Sequence, residues 1–566
     1  MSNNTAKRPE FYISEITCGD GTQIPINAND IIVFVGPNNS GKSQALKDIG
    51  NDSHGINVPK KVIPKAKIKC DEQASEEYEI FIKENAKEQI SGSEVCYSGT
   101  GFSVYLKHMK SYLRKGNDST IAQFFITSLP TENRLTAANP AVAISRDNVP
   151  THPIHRLVQN SDYREKIAQY FRRAFGENII PNPQNITNIP LRLGNDVKLE
   201  DLKANSAQEA FDAYSDILSE YPMLHQQGDG MRSFTGIILS LIAEQYNTFI
   251  IDEPESFLHP PQATIMGQVI SELAYNRQVF ISTHSQHIVK GLLDKDPKRV
   301  KIIRITRPQK NQNTFSILDN EKISDLWKDP LLKHSDIMDG MFYKNVVICE
   351  SDADCRFYSM INSFLKEQQQ KFSETLFVHC GGKGRMKKVV QALKSLNIDF
   401  RVIPDIDLLN DKSTLQALVE ACGGTWNKER EYNALTNALS DIKNETGSAI
   451  LTQIQNEIGA DLNTPLSRNK IEKLQKMLTV KSKWDKIKES GIAGAPRGDA
   501  TVALKSIVQF LNELKIFLVT CGELECFIKD AGGHGPEWLN NVLENHRDIS
   551  AEEYKAARDF VASWNL

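Results

Sequence analysis

Gly36-Pro-Asn-Asn-Ser-Gly41-Lys42-Ser43 lies between the apolar run Ile31–Val35 and a stretch of helical character from Gln44 onward, and its reading decides the fold. The spacing is GxxxxGK[ST] in the context that gives it meaning. A strand delivers the loop, glycines let backbone N–H groups close on phosphate oxygens, and the following helix N-terminus adds a favourable dipole. Gly36, Asn38, Asn39, Ser40 and Gly41 form the cradle, Lys42 is expected to reach the β- and γ-phosphates, and Ser43 to ligate magnesium. The loop is read as an ATP site.

Its partners lie far along the chain. Thr248-Phe-Ile-Ile-Asp252-Glu253-Pro-Glu255 is a buried strand ending in acids, with Asp252 expected in the magnesium shell and Glu253 orienting the attacking water. Phe280-Ile-Ser-Thr-His284-Ser covers the end of the next strand, where His284 can contact the γ-phosphate. Gln227-Gly228-Asp229-Gly230-Met-Arg232-Ser233 precedes a helix read as beginning near Phe234, so Gly228 and Ser233 are expected to form a second anion cradle. Between and after these motifs the pattern alternates: helix Gly236–Gln245, strand Thr248–Ile251, helix Pro261–Tyr275, strand Val279–Ser282, helix Gln286–Leu293, strand Val300–Ile305. That rhythm predicts a parallel α/β sheet. Residues of roughly 70–225 are more polar and read as a helical arm inserted into this fold, and Arg307–Thr314 reads as a turn.

A second strand–helix series starts at Asn345–Cys349 and continues through helix Asp354–Glu367, strand Leu376–His379, helix Met386–Leu396, strand Phe400–Ile403 and strand Ile516–Thr520. The first strand ends on Glu350-Ser-Asp-Ala-Asp354, the third on Asp405-Ile-Asp407, and Cys380-Gly-Gly-Lys383-Gly384 makes a glycine turn between them. Carboxylates gathered beyond adjacent parallel strands can bind one or two magnesium ions, or manganese in their place. The expected organisation is a nucleotide domain over 1–320, a connection over 321–342, and a Rossmann-like domain over 343–566 with a helical insertion at about 411–510.

The whole chain, 566 residues, carries 67 basic and 71 acidic side chains, a net charge of −4, which excludes a bulk polycation that coats nucleic acid while allowing a local basic groove. Nine scattered cysteines show no zinc spacing and fit a reducing, cytoplasmic setting. The first residues lack the apolar core of a signal peptide, and no apolar run is long enough to span a bilayer, so no membrane contact is expected.

The nucleotide motifs together resemble the ABC-type ATPase clade of SMC-like and OLD-like proteins, in which the second cradle closes over ATP held by the other subunit. That resemblance implies a homodimer through the ATPase domains. The order strand–Glu, glycine turn, strand–DxD resembles the TOPRIM domain, whose family pattern begins EGxxD; here Ser351 stands where the glycine is usual. An ABC-type ATPase fused to TOPRIM is the architecture of OLD-family nucleases. The resemblance implies metal ligation by Glu350, Asp354, Asp405, Asp407 and, from the late run Gly522-Glu523-Leu-Glu525, Glu525. Glu350, Asp405 and Asp407 would be catalytic on DNA. It also implies a bacterial anti-phage role, with a defence-system partner such as a reverse transcriptase and its DNA. The family's late lysine has no obvious counterpart in Gly532-Gly-His534-Gly-Pro-Glu-Trp, and Lys529 and Lys383 stand as candidates. The alternative reading is an ATP-driven DNA clamp whose TOPRIM lobe is silent. Two lysine groups, Lys60/Lys61/Lys65/Lys67/Lys69 and Lys470/Lys473/Lys476/Lys481/Lys483/Lys486/Lys488, fit either solvated surfaces or contacts to a phosphodiester backbone.

Overall fold

The computed structural model describes residues 8–565 except 92–93, 100–101, 115–118, 146–149, 184–186, 196, 198–201, 203–205, 310–311, 319, 329, 331–335, 441–446, 460–464, 469, 472 and 475–482. The chain divides into two compact units, Met1–Phe342 and Tyr343–Leu566.

In the first unit the main sheet is built from β1 (Ile31–Val35), β2 (Ile126–Leu129), β3 (Thr248–Asp252), β4 (Gln278–Ser282), β5 (Val300–Gln309) and β6 (Gln312–Leu318). Their spatial order is β6-β5-β1-β4-β3-β2, parallel except for the β5–β6 pair. All of β1 and β4 is buried, as a parallel strand covered on both faces must be, and this explains their unbroken apolar text. Three helices matter for the site: α1 (Lys42–Ser53), α2 (Thr131–Ala137) and α3 (Asp229–Ala243).

Two expectations are revised. The region 70–225 holds helices such as Ser75–Asn85, Ser161–Phe175 and Ala207–Glu220, but also an antiparallel sheet of Lys87–Ser91, Glu94–Gly99 and Phe102–Val104. It further supplies β2, the edge of the main sheet. These strands are short and half polar, so neither period is strong in the text. Likewise Arg307–Thr314 is mostly strand: β5 runs to Gln309 and β6 starts at Gln312. The pair lies at the sheet margin, where one face meets water and polar residues cost little.

The second unit contains β7 (Asn345–Cys349), β8 (Thr375–His379) and β9 (Asp399–Ile403), all parallel in the order β8-β7-β9. Helices α4 (Asp352–Gln368) and α5 (Lys383–Ser395) follow β7 and β8. The expected strand at Ile516–Thr520 forms only a short parallel bridge beside β9. Val402 N–H donates to Lys515 O (2.9 Å), Phe517 N–H to Val402 O (2.8 Å) and Val519 N–H to Pro404 O (3.1 Å). Pro404 has no N–H to return, so the ladder ends there. Phe357, Tyr358, Phe527, Trp538, Tyr554 and Trp564 fill one core beneath this sheet. The insertion is helical, with Lys412–Cys422, Glu429–Ser440, Gly447–Ile458, Lys483–Ser490 and Asp499–Glu513. Among the described residues no helix is long and apolar enough to cross a membrane.

Candidate nucleotide and metal sites

The phosphate loop leaves β1 at the carboxyl end of the sheet, beside the ends of β3, β4 and β5. Gly36 is obligatory there: its φ is +143°, and a Cβ would sit 2.1 Å from the Ile305 carbonyl oxygen of β5. The loop is thereby seated on the neighbouring strand. Lys42 is buried and its ammonium donates to the carbonyls of Gly36 and Pro37, each at 2.9 Å. Burial lowers its pKa to about 8, against the pull of Glu253, Glu255 and Asp252. A cleft of about 600 Å³ runs from Ser43 and Asp252 along α1, past Lys47, Asn51 and His54.

Asp252 ends β3 with one carboxylate oxygen held by the Ser282 hydroxyl of β4. Glu253 follows with φ +46°, a left-handed conformation uncommon outside glycine and asparagine. His284 Nε2 lies 3.4 Å from Glu253 Oε1, so the two side chains are neighbours at the loop. Burial and nearby Lys42 lower the His284 pKa, favouring the neutral ring. Two residues outside the expected set complete this turn. Glu255 is half-buried, desolvation raises its pKa, and its Oε1 accepts from the Thr283 hydroxyl (2.7 Å) and from the His284 N–H (2.8 Å). Arg134, fully buried at the start of α2, donates to the carbonyls of Asp252 (2.6 Å) and Glu253 (3.3 Å). The third acid of the Asp-Glu-Pro-Glu run was a signal for Glu255, whereas nothing local marks Arg134.

The second cradle differs from expectation. Helix α3 starts at Asp229, capped by Gly228, not near Phe234. Ser233 therefore lies inside the helix and is completely buried, so it does not face a ligand docking from outside. Gly228 and Asp229 remain exposed at the helix N-terminus, and Asp229 holds Arg232 at 2.8 Å. The misreading came from Gly230, taken for a loop residue. It is a helix residue whose missing Cβ leaves room for the Phe257 carbonyl, 2.5 Å from where that atom would stand.

In the second unit the carboxylates gather where strand pairing dissolves. Glu350 follows β7 and its Oε1 accepts from the Asp405 N–H at 3.1 Å, tying the ends of β7 and β9 together. Gly381 and Gly382, both at positive φ, turn the chain after β8 so that Gly382 N–H reaches the Glu350 carbonyl (3.1 Å). That turn brings Lys383, at the start of α5, to 3.1 Å from Asp407 Oδ1. Burial raises the pKa of Asp405 well above the carboxylate range, with Glu350, Asp354, Asp407 and Glu523 adding repulsion. Burial likewise raises Glu350, with Asp407 and Asp354 adding to it against the opposing Asp405 N–H and Lys383.

Asp354 is buried as the third residue of α4, and its Oδ2 accepts the Ser351 N–H (2.8 Å) while Ser351 Oγ caps the Asp354 N–H (3.4 Å). Ser351 at the glycine position is thus half of a capping box. One Asp354 oxygen is committed to that box, and burial raises its pKa, with repulsion from Glu525. Glu525 Oε1 accepts the Gly535 N–H (2.7 Å) and lies 2.5 Å from His534 Nδ1. Glu523, Glu525 and His534 offer ligand atoms within 4.8 Å of one another. Glu523, unassigned from sequence, also meets Lys488 at 3.3 Å, so the insertion delivers one lysine to the acids.

Of the other lysines, Lys60 pairs with Asp52 (2.7 Å) and Lys69 with Glu10 (3.1 Å). Lys473 meets Glu457 (3.3 Å). Lys476, Lys481 and the side chain of Lys483 lie outside the described residues. The carboxylates around Asp405 offer hard oxygen, and burial with mutual repulsion raises the pKa of Glu350, Asp354 and Asp405, which fits a divalent cation of the magnesium or manganese type.

Comparison with known proteins follows this division. Residues 133–290 match the family described as "AAA domain, putative AbiEii toxin, Type IV TA system". Residues 341–407 match "Overcoming lysogenization defect protein-like, TOPRIM domain". The two matches together support an ATPase–TOPRIM protein of the OLD family. The Old nuclease of Escherichia phage P2 is 25% identical over 179 residues, 30% of this OLD-family chain. The aligned stretch spans 29% of that relative's own length. Among solved structures, the SMC head domain from Thermotoga maritima is 14% identical, covering 55% of this chain and 100% of that one at a TM-score of 0.26. An Smc head derived from Pyrococcus furiosus, bound to the C-terminal domain of ScpA, is 10% identical, covering 56% and 99% at 0.32. At these TM-scores the likeness carries no argument, and the OLD-family ATPase–TOPRIM assignment stands on the two family matches.

Proposed function

We propose that this OLD-family protein is an ATP-regulated, metal-dependent DNA endonuclease. The observation that carries the reading is the convergence of Glu350, Asp405 and Asp407 at the ends of adjacent parallel strands, with Lys383 on Asp407. Glu350, Asp405 and Asp407 would hold magnesium or manganese, with the free oxygen of Asp354 and with Glu523 and Glu525 completing the set. A divalent metal there supplies an activated water and stabilises the leaving oxygen of a phosphodiester. Lys383 and Lys488 would neutralise the backbone phosphate.

In the first unit Lys42 and Ser43 would bind the ATP phosphates and their magnesium, with Asp252. Glu253 would orient the water and neutral His284 would contact the γ-phosphate. A second copy would dock the N-terminus of its α3, at Gly228, over that ATP, making a dimer whose two states differ in nuclease competence. The Old nuclease name of the phage relative and the TOPRIM match support DNA as substrate. An anti-phage role is part of the proposal; unchanged infection after deletion of the gene would remove it.

The deciding assay is cleavage of plasmid and single-stranded DNA with magnesium or manganese. Wild type is expected to cut, Asp405→Ala/Asp407→Ala to be inactive, and Lys42→Ala to change the rate by removing control by ATP. Intact DNA under every condition, alongside Lys42-dependent ATP hydrolysis, would overturn the nuclease reading.

A further inference from the structure

Two features of the ATPase unit, helix α3 and the catalytic turn after β3, are joined in space by one buried arginine that meets α3 at Gly236. Arg134 is entirely buried, and its guanidinium faces backbone oxygens rather than a carboxylate: Nη1 to Asp252 O at 2.6 Å, Nη2 to Glu253 O at 3.3 Å and to Thr131 Oγ1 at 2.8 Å. A charged group with no carboxylate pair is costly in such a place, and burial does lower its pKa, with Asp252, Glu255 and Glu253 opposing. Its hydrogen bonds fix the two peptides that aim the Asp252 and Glu253 side chains. Glu253 needs such fixing, because its left-handed φ of +46° is not a conformation the residue adopts unaided.

The other side of Arg134 meets α3. A Cβ on Gly236 would fall 2.2 Å from the Arg134 carbonyl oxygen and 2.8 Å from its Cα, so α3 and α2 touch backbone to backbone there. Arg232, one turn earlier on α3, donates to Leu135 O at 3.4 Å. Gly230, the second residue of α3, abuts the Phe257 carbonyl of the same catalytic turn, 2.5 Å from where a Cβ would stand. Phe257 is itself exposed and at φ +68°, so this turn is strained at both ends. No slack separates the helix end from the glutamate.

Resting on the ATPase reading above, we infer that Arg134 is the positioning residue linking α3 to the catalytic turn of the same subunit, so that a shift of α3 on docking a nucleotide re-aims Glu253. Hydrolysis is thereby made conditional on what the helix N-terminus touches. Arg134 reaches Asp252 and Glu253 through their backbone oxygens alone. It acts through the peptides of Asp252 and Glu253, and an ångström of displacement at a catalytic group costs roughly 100-fold in rate.

The test uses full-length protein and steady-state ATP hydrolysis, with binding of a fluorescent ATP analogue and thermal melting measured on each variant. Arg134→Lys keeps the charge but loses the fork. Gly236→Ala pushes α3 off the Arg134 backbone. Thr131→Val, at a partly exposed position, frees one guanidinium nitrogen without disturbing the core. Both Arg134→Lys and Gly236→Ala are expected to lower kcat at least about tenfold with analogue affinity within about twofold, and Thr131→Val to lower it less. The double variant Arg134→Lys/Gly236→Ala should be no worse than its poorer parent, because both break one link. Wild-type kcat in Arg134→Lys, additive losses in the double variant, or losses explained by weaker binding would each overturn the inference. Should either core variant fail to fold, an unchanged kcat in Thr131→Val overturns it. Absence of Lys42-dependent hydrolysis in the wild type would instead sink the ATPase reading beneath it.

Discussion

Asp405→Asn separates the metal-binding role of the acid cluster from any merely structural one, because it should move stability in opposite directions with and without metal. Desolvation of the half-buried Asp405, with repulsion from Glu350, Asp354, Asp407 and Glu523, holds its pKa well above the ordinary carboxylate value. A carboxyl whose folded pKa is raised binds protons more tightly when folded. The metal-free fold therefore loses stability as pH rises from the ordinary aspartate range through the folded value, and regains it on acidification. Asparagine at 405 removes that repulsion, so the metal-free protein should melt higher than wild type at neutral pH. Magnesium relieves the same repulsion by binding. At one hundred times its dissociation constant a ligand adds about 2.7 kcal/mol. For a unit the size of Tyr343–Leu566 that corresponds to a rise of roughly 5–10 °C in its melting transition. The assay is calorimetry of the full chain without nucleotide, in EDTA and then in magnesium. Wild type should show the rise and Asp405→Asn little or none. A magnesium-dependent rise that survives in Asp405→Asn, or none in wild type, would refute metal binding at these acids.

Gly36→Ala should abolish binding of a fluorescent ATP analogue while the fold persists, since its Cβ would fall 2.1 Å from a strand carbonyl that cannot yield. Lys42 has a pKa lowered to about 8 by burial, and phosphate contact favours its charged form. Binding must then take up a proton above that pH, and affinity should fall by up to about tenfold per unit from pH 8 upward. Calorimetry in buffers of different ionisation enthalpy would detect the proton, and equal heats in all of them would contradict this. Ser351→Ala should cost about 1 kcal/mol through the lost cap on α4, read by denaturant melting, whereas Ser351→Gly should cost only a few tenths.

Nucleotide chemistry was readable because it needs short contiguous runs: the loop from Gly36 to Ser43, the acids after β3, and His284 after β4 all sit at strand ends that apolar text announces. The acids Glu350, Asp405 and Asp407 were legible for the same reason. Arg134 was not, because its role comes from meeting Asp252 across 118 positions of chain, and an arginine three residues into a helix looks like surface. Lys488 stayed open between a solvated surface and a backbone contact, and Glu523 stood in an acidic run without a role, because their meeting depends on how the insertion folds back. Ser233 was misassigned because glycine normally marks a loop, while Gly228 caps α3 and Gly230 lies within it for the sake of a close backbone approach. The strand expected at Ile516–Thr520 fell short because one proline on its neighbour has no hydrogen to offer.

The closing of that ladder has an evolutionary reading. Chain leaves the sheet after Ile403 and returns at Lys515, whose carbonyl is hydrogen-bonded to Val402. Past the acids Asp405 and Asp407, everything from Lys412 to Glu513 is a detour whose two ends are already neighbours, and the entropy of closing such a detour grows only slowly with its length. The segment is therefore built as an exchangeable cassette: a longer, shorter or different one would close on the same two ends without tearing the sheet. Because it also carries Lys488 to the acids, each exchange would retune which backbone the cluster grips while leaving the carboxylates where they are.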